Sequence, residues 1–326
     1  ILDNNADASL IINKYATVNL NGGQFSENHG LIDVTGRLNA YKLNNNEGAT
    51  LNVHSWEVEM DNNIRGVADI YALMNEGTID IEKRKQNDSG TYGGELMVRQ
   101  TLDNRNQVTV NGLLTVDGTT DGNGLSNQKG AVITLGSDPY AQIVIKANEG
   151  SYDGIIVLDD PTRYEFYDGY LNGSQKLSTY QGVIQATLNQ EDYTEVMKNY
   201  DTYKTTEQET AWDVINKVIV TDRLQLQVNN ENAEKDFILN ADASIDIVDD
   251  VTIASLAAVG TGTAITTANN AVFNVNETVT VVAAADLTVD EGVTLMLQNV
   301  ENDASFDAPM LDIAGTLTNN GKIDTK

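Results

Sequence analysis

The sequence predicts a mainly β chain: a right-handed parallel β-helix, or β-solenoid, with a small Tyr-rich insertion holding one or two helices. Three observations predict it. Asparagine is abundant, at 37 of 326 residues, while proline is scarce, at 3. A short phrase recurs: Asn, one residue or none, Gly, then alternating apolar and polar residues. Thr, Val and Ile abound between the phrases, which suits short strands joined by Asn and Gly corners. The proline deficit weighs against tandem immunoglobulin-like sandwiches, which place Pro at edges and turns.

The phrase appears as Asn28-His29-Gly30-Leu31-Ile32-Asp33-Val34 and as Asn46-Glu47-Gly48-Ala49-Thr50-Leu51-Asn52-Val53. It returns as Asn75-Glu76-Gly77-Thr78-Ile79-Asp80-Ile81 and as Asn320-Gly321-Lys322-Ile323-Asp324. Looser copies start at Asn127 and Asn148. A longer pair links the two halves: Asn5-Ala6-Asp7-Ala8-Ser9-Leu10-Ile11-Ile12 and Asn240-Ala241-Asp242-Ala243-Ser244-Ile245-Asp246-Ile247. Gly and Asn tolerate the left-handed backbone of a sharp corner. The alternating residues behind each corner put one side inward and one toward water. One such unit cannot bury its apolar row alone. Stacking units about 4.8 Å apart buries every row in one column. Asn side chains at equivalent corners then form a hydrogen-bonded ladder. The competing architecture is an antiparallel sandwich or barrel with Asn-Gly hairpins.

Three regions follow. Residues 1–150 form an N-terminal part of the solenoid, in which Asp61 to Gly77 and Glu82 to Gly94 read as longer loops. Residues 151–222 form the Tyr-rich insertion, with seven of the 13 Tyr between Tyr164 and Tyr203. It carries the helical signals. One helix starts after Asn189 and runs through Val196, Met197 and Tyr200. A second follows the capping box Thr206-Glu207-Gln208-Glu209, with Ala211, Trp212, Ile215 and Ile219 on one face. Residues 223–326 form a C-terminal part of the solenoid, with strand phrases at Val251–Ile253, Val279–Val281, Leu287–Val289, Val293–Leu295 and Thr316–Thr318. Lacking an initiator Met and a signal peptide, the chain reads as a processed or excised part of something longer. The native molecule is expected to continue past Lys326.

Charge narrows the function. Twenty Lys and Arg face 48 Asp and Glu, a net charge of −28. Nucleic acid needs a basic face, so it is excluded as a partner, and the same charge argues against docking on anionic lipid. No apolar run is long enough to span a membrane as a helix. With no Cys, the chain has no disulfide, no thiolate metal site and no cysteine nucleophile.

The Asn-Gly phrases resemble those of the broad parallel β-helix superfamily of pectate lyases, polygalacturonases, phage tailspikes and bacterial surface adhesins. The resemblance covers about 250 residues and is one of architecture, which implies no activity by itself. Polygalacturonase-like members carry, in order, Asn-Thr-Asp, Asp-Asp, His-Gly and Arg-x-Lys motifs. This chain has Asp159-Asp160, Asp249-Asp250 and His29-Gly30, with the His-Gly first and the other two motifs missing. That match is chance.

Other candidate sites are few. His29 and His54 are the only histidines, both at corners, and neither has zinc-ligand spacing. Asp117, Asp121 and Asn123 lie in a Gly-rich acidic loop without EF-hand spacing, and calcium is the one cofactor that loop suggests. Trp56 and Trp212 read as packing residues. Tyr164, Phe166, Tyr167 and Tyr170 alternate so that several rings share one face, which suits a glycan or protein partner. The same rings also suit covering the solenoid's side.

These readings give a non-enzymatic stalk or fibre segment of an extracellular or bacterial cell-surface protein. Its partners are a surface protein or a glycan, with self-association through the solenoid ends. One alternative is a polysaccharide-binding or polysaccharide-degrading β-helix protein. Another is a phage or surface-layer assembly component.

Overall fold

A computed structural model describes residues 1–54, 66–82, 85–87, 90–118, 124–138, 141–146, 150–163, 177, 180–205, 209–227, 230–298 and 310–325. The chain forms two compact units, Ile1–Ile184 and Gln185–Lys326. Each is built of short parallel strands stacked coil upon coil, so the chain is a parallel β-helix carrying a small helical insertion.

In the first unit, one sheet stacks Ser9–Ile12, Leu31–Val34, Thr50–Val53, Thr78–Ile81, Gln107–Val110, Val132–Leu135 and Ile155–Leu158. The register aligns Ile12, Val34, Val53, Ile81, Val110, Leu135 and Leu158 in a single inward row, each at most 9% exposed. Burying each such side chain is worth about 1.5–3 kcal/mol, so the row is a main source of cohesion. The opposite sheet contains three long strands, Arg37–Asn45, Val67–Asn75 and Glu95–Asn104, the first two in register and the third slipping by one residue between Val98 and Thr101. Each serves two faces of the coil. Thr17–Leu20 pairs with Arg37–Ala40, whereas Ser26–Asn28 pairs with Leu43–Asn45. Between these halves, inward Ala40 and Leu43 flank two residues that are not buried, Tyr41 and Lys42.

The asparagine ladder is present and buried. Asn4, Asn28, Asn45, Asn75, Asn104 and Asn127 each donate from Nδ2 to the side chain of the next member, at 2.7–3.1 Å. Five links join asparagines across 24, 17, 30, 29 and 23 residues. The sixth ends on Tyr180 Oη, which donates in turn to Gly154 O. The second N–H of each amide reaches a main-chain carbonyl, such as Thr78 O from Asn45 and Gln107 O from Asn75. The row is therefore satisfied while fully enclosed, which is the condition for burying polar groups without a large cost. One expectation shifts by a residue: the phrase starting at Asn46 contributes Asn45 to the ladder. Asn46 instead opens the turn, and its carbonyl accepts from Ala49 N at 2.9 Å.

Corners come in two sizes. Wide corners close with the same bond: Ala8 N to Asn5 O, Ala49 N to Asn46 O, Ala131 N to Gln128 O and Ala243 N to Asn240 O. The matched phrases at Asn5 and Asn240 are thus one device used in both units. Short corners such as Asn75–Thr78 contain two residues and stack directly on the wide corner of the preceding coil. Any side chain on Gly77 would strike the carbonyl oxygens of Ala49 and Asn46. The next corner, over Gly77 itself, is also short and carries Asn106 instead.

Two expectations about loops are corrected. Val67–Asn75 is a strand, because alternation there continues the long strand of the preceding coil. Within the span from Glu82 to Gly94, Lys85–Asn87 and Gly90–Tyr92 pair as an antiparallel hairpin.

The second unit has three separate sheet faces. They run through Lys217–Val220, Asp236–Leu239, Ser255–Ala258 and Thr278–Val281; through Arg223–Leu226, Ser244–Ile247 and Thr263–Thr267; and through Val251–Ile253, Ala271–Val275 and Val293–Leu297. Phe237 and Phe273 are its largest inward strand residues.

Two helices precede these coils. Helix α1, Gln190–Tyr203, begins at the expected place, with Asn189 Oδ1 accepting from Asp192 N. Helix α2 is shorter than expected, at Ala211–Val214, and its capping box is Thr210 with Asp213. Ile219 lies in a strand, where pairing to Ala186–Leu188 overrides the helical spacing. Residues 206–208 lie outside the described residues. Tyr193 packs edge-on against Trp212, with ring centroids 5.4 Å apart. Burial pushes the Tyr193 phenol up to about 12. Lys235 seals this corner, donating from Nζ to Trp212 O and Ile215 O at 2.7 and 2.6 Å.

Candidate functional site

The long strands of the first unit position a shallow groove of about 390 Å³, lined by Asn21, Asn39, Ala40, Tyr41, Asp69, Tyr71 and Arg99. Alternation creates it. Leu38 and Ala40 point inward on one strand, so Arg37 and Asn39 point out. Register then sets Asp69 beside Asn39, and Tyr71 beside Tyr41. The two tyrosine rings stack with centroids 4.9 Å apart and planes 5° apart. Lys42 Nζ stands 5.5 Å from the Phe25 ring centre and 5.6 Å from that of Tyr41, extending the aromatic strip by one coil.

Asp69 is the deepest charge of the groove lining, with its side chain 11% exposed. Arg99 clamps it through Nε and Nη2, both at 2.6 Å, and Arg37 Nη2 lies at 3.4 Å. The hydrogen bond to the Asp69 carboxylate raises the Arg99 pKa. Arg37 Nε also donates to Asn39 Oδ1, and Asn39 Nδ2 donates to Asn19 Oδ1 at 2.7 Å. The polar atoms are thus held by one another on strands rather than on loops.

On the other sheet, His54 stands between two carboxylates. Its Nε2 meets Asp33 Oδ1, and its Nδ1 lies 2.6 Å from Glu82 Oε1. Burial works to lower the imidazole pKa, but the two carboxylates outweigh it and hold it above the ordinary value. Asp80 nearby is raised by burial and by Glu82. A protonated imidazole between two carboxylates ties adjacent coils together. Among the described residues, no group of three or more His, Asp or Glu is arranged to hold a metal ion.

Two of the acids named from sequence accept main-chain hydrogen bonds. Asp160 accepts from Thr162 N and Oγ1, fixing the turn Pro161–Arg163. Asp250 accepts from Val272 N at 2.8 Å. Asp117 lies 3.7 Å from Lys146, while Asp121 and Asn123 lie outside the described residues. So do Trp56, Tyr164, Phe166, Tyr167 and Tyr170. His29 is an exposed corner residue. Tyr41 and Tyr71 escaped the sequence reading because they sit singly, away from the Tyr-rich stretch. The signal that finds them is alignment on the ladder: each lies four residues before a ladder asparagine, Asn45 or Asn75.

Compared with protein-family models, curated proteins and solved structures, the chain matches none.

Proposed function

We propose that this chain is a non-enzymatic structural and adhesive segment of a bacterial cell-surface or extracellular protein. The observation that supports this reading best is the enclosed amide ladder running through successive coils. A ladder of this kind ties each coil to the next and favours a stiff support over a yielding one. Two of the acids singled out from sequence, Asp160 and Asp250, accept main-chain hydrogen bonds, which fits support rather than general acid–base work. A net charge of −28 keeps such a support soluble and resists lateral association. The test is incubation of the purified chain with a panel of neutral and acidic polysaccharides, with and without calcium. The expected result is no new reducing end and no unsaturated product. Release of either from any member overturns the reading.

A further inference from the structure

We propose that the groove at Tyr41 and Tyr71 binds an uncharged saccharide, accommodating hexose units of a neutral glycan. The inference rests on the adhesive part of the reading above and names the ligand class.

The lining supplies what a sugar needs. A hexose presents hydroxyls that both donate and accept, together with apolar C–H surface. The groove offers acceptors on Asp69 and Asn39, donors on Arg99 and Asn21, and the phenol rings of Tyr41 and Tyr71. The Ala40 side chain points inward, so it puts no bulk between the rings and the polar groups. A volume of about 390 Å³ is within the range of small-ligand sites.

Order is already in place. The Arg99–Asp69 clamp, the Arg37–Asn39 bond and the stacked rings fix the lining before a ligand arrives. Little conformational entropy then remains to be lost on binding. Charge selects the class. Within the lining, the one carboxylate, Asp69, is bonded by Arg99 and approached by Arg37, so it is not free to recruit a cation. The surrounding chain carries −28, which repels uronate, sulfated and phosphorylated ligands alike.

The test is isothermal titration of the full chain with gluco-, manno- and galacto-configured neutral tetrasaccharides and with a uronate tetrasaccharide. At least one neutral tetrasaccharide is expected to bind saturably, and Tyr41→Ala and Tyr71→Ala are each expected to weaken it about tenfold or more. Tyr15→Ala, an exposed tyrosine away from the groove, is expected to leave binding unchanged. Circular dichroism confirms that the variants stay folded. Failure of every neutral tetrasaccharide up to about 10 mM, a range that still reports very weak binding, overturns the proposal. So does binding that both tyrosine variants retain, or tighter binding of the uronate. These failures leave the structural reading standing, because only product release removes that.

Discussion

The two units build the same coil with different corner chemistry. In Ile1–Ile184, six enclosed asparagines pass hydrogen bonds from coil to coil. In Gln185–Lys326, hydroxyls bond instead to nearby main-chain groups: Thr267 Oγ1 to Ile247 O at 2.7 Å and to Asn269, and Thr263 Oγ1 to Asp286 O. A hydroxyl has one proton, so it donates to one neighbour at a time. A carboxamide has two N–H groups and an oxygen, so it serves its own coil and the next together. The difference teaches that cohesion in the first unit is shared along a row, whereas in the second it is divided among separate contacts. The first unit also fuses two faces into strands of nine or ten residues. Those bends place Tyr41 and Tyr71 outward, so the groove belongs to the same feature that distinguishes the unit.

The largest expected effect breaks the ladder. Asn75→Ala leaves one of the two Asn45 Nδ2 protons without its acceptor and Asn104 Oδ1 without its donor, both enclosed. The loss is about 3 kcal/mol, because stranded buried polar groups cost more than the bonds they made. Thr267→Ala in the second unit removes a hydroxyl that bonds Ile247 O and the neighbouring Asn269 main chain, none of it fully enclosed, and is expected to cost about 1 kcal/mol. Hydrogen exchange resolved by peptide measures each unit separately, since the two need not unfold together. Equal losses would show that the amide row is no more cooperative than isolated hydroxyls.

The second prediction tests stacking of unequal corners. Gly77→Ala drives a methyl into the carbonyls of Ala49 and Asn46, and is expected to cost about 2–3 kcal/mol. Asn106→Ala, at the equivalent corner one coil on, loses only the bond to Glu76 O and is expected to cost about 1 kcal/mol or less. Thermal melts of the two variants settle the order. A Gly77 variant as stable as the Asn106 variant would show that the wide corner below yields freely.

Much of this was legible in the sequence. Strand phrases such as Val279–Val281 and Thr316–Thr318 reported the coil because alternation has a fixed meaning on a pleated strand. Helix α1 was legible because Asn189 and the one-face spacing of Val196, Met197 and Tyr200 act locally. Helix α2 was misjudged in length because strand pairing at Lys217–Val220 is a long-range contact that local spacing does not encode. The groove was hidden for the same reason. Tyr41 and Tyr71 meet across 30 residues of sequence, and their neighbourhood exists only once the register is known. His54 was read as a corner residue, which it is, but its two carboxylate partners come from the preceding and following coils.

A third prediction concerns the charge pair of the second unit. Burial alone would raise the Asp246 pKa, yet Arg223, Thr266 and Gln225 hold it below the ordinary carboxylate value. Its stabilising contribution is present above that ordinary value and is lost as pH falls through the lowered one. Arg223 is 68% exposed, so its replacement by Ala is expected to cost only about 0.5–1 kcal/mol at neutral pH. The variant's melting temperature should also depend less on pH in the acid range than that of the parent chain. A loss above about 3 kcal/mol would mean that the carboxylate depends on the guanidinium alone.

The smallest effect returns to the first unit. A histidine whose pKa is raised by folding stabilises most fully below its unfolded value, near 6.5, and loses that contribution as pH rises through the folded value. Asp80, also raised, acts with the same sign at lower pH, where its neutral form no longer repels Glu82. The melting temperature of the first unit should therefore fall between about pH 6 and pH 8, by about 1–3 °C, more than it does in His54→Gln. The glutamine retains hydrogen-bonding capacity but carries no titrating charge, so the difference between the two curves isolates the imidazolium. Parallel curves would mean that Asp33 and Glu82 hold a neutral ring, and that the coils there are joined by hydrogen bonds alone. A steeper fall in the parent chain would show that the first unit adds to its amide ladder a second, pH-dependent tie between coils.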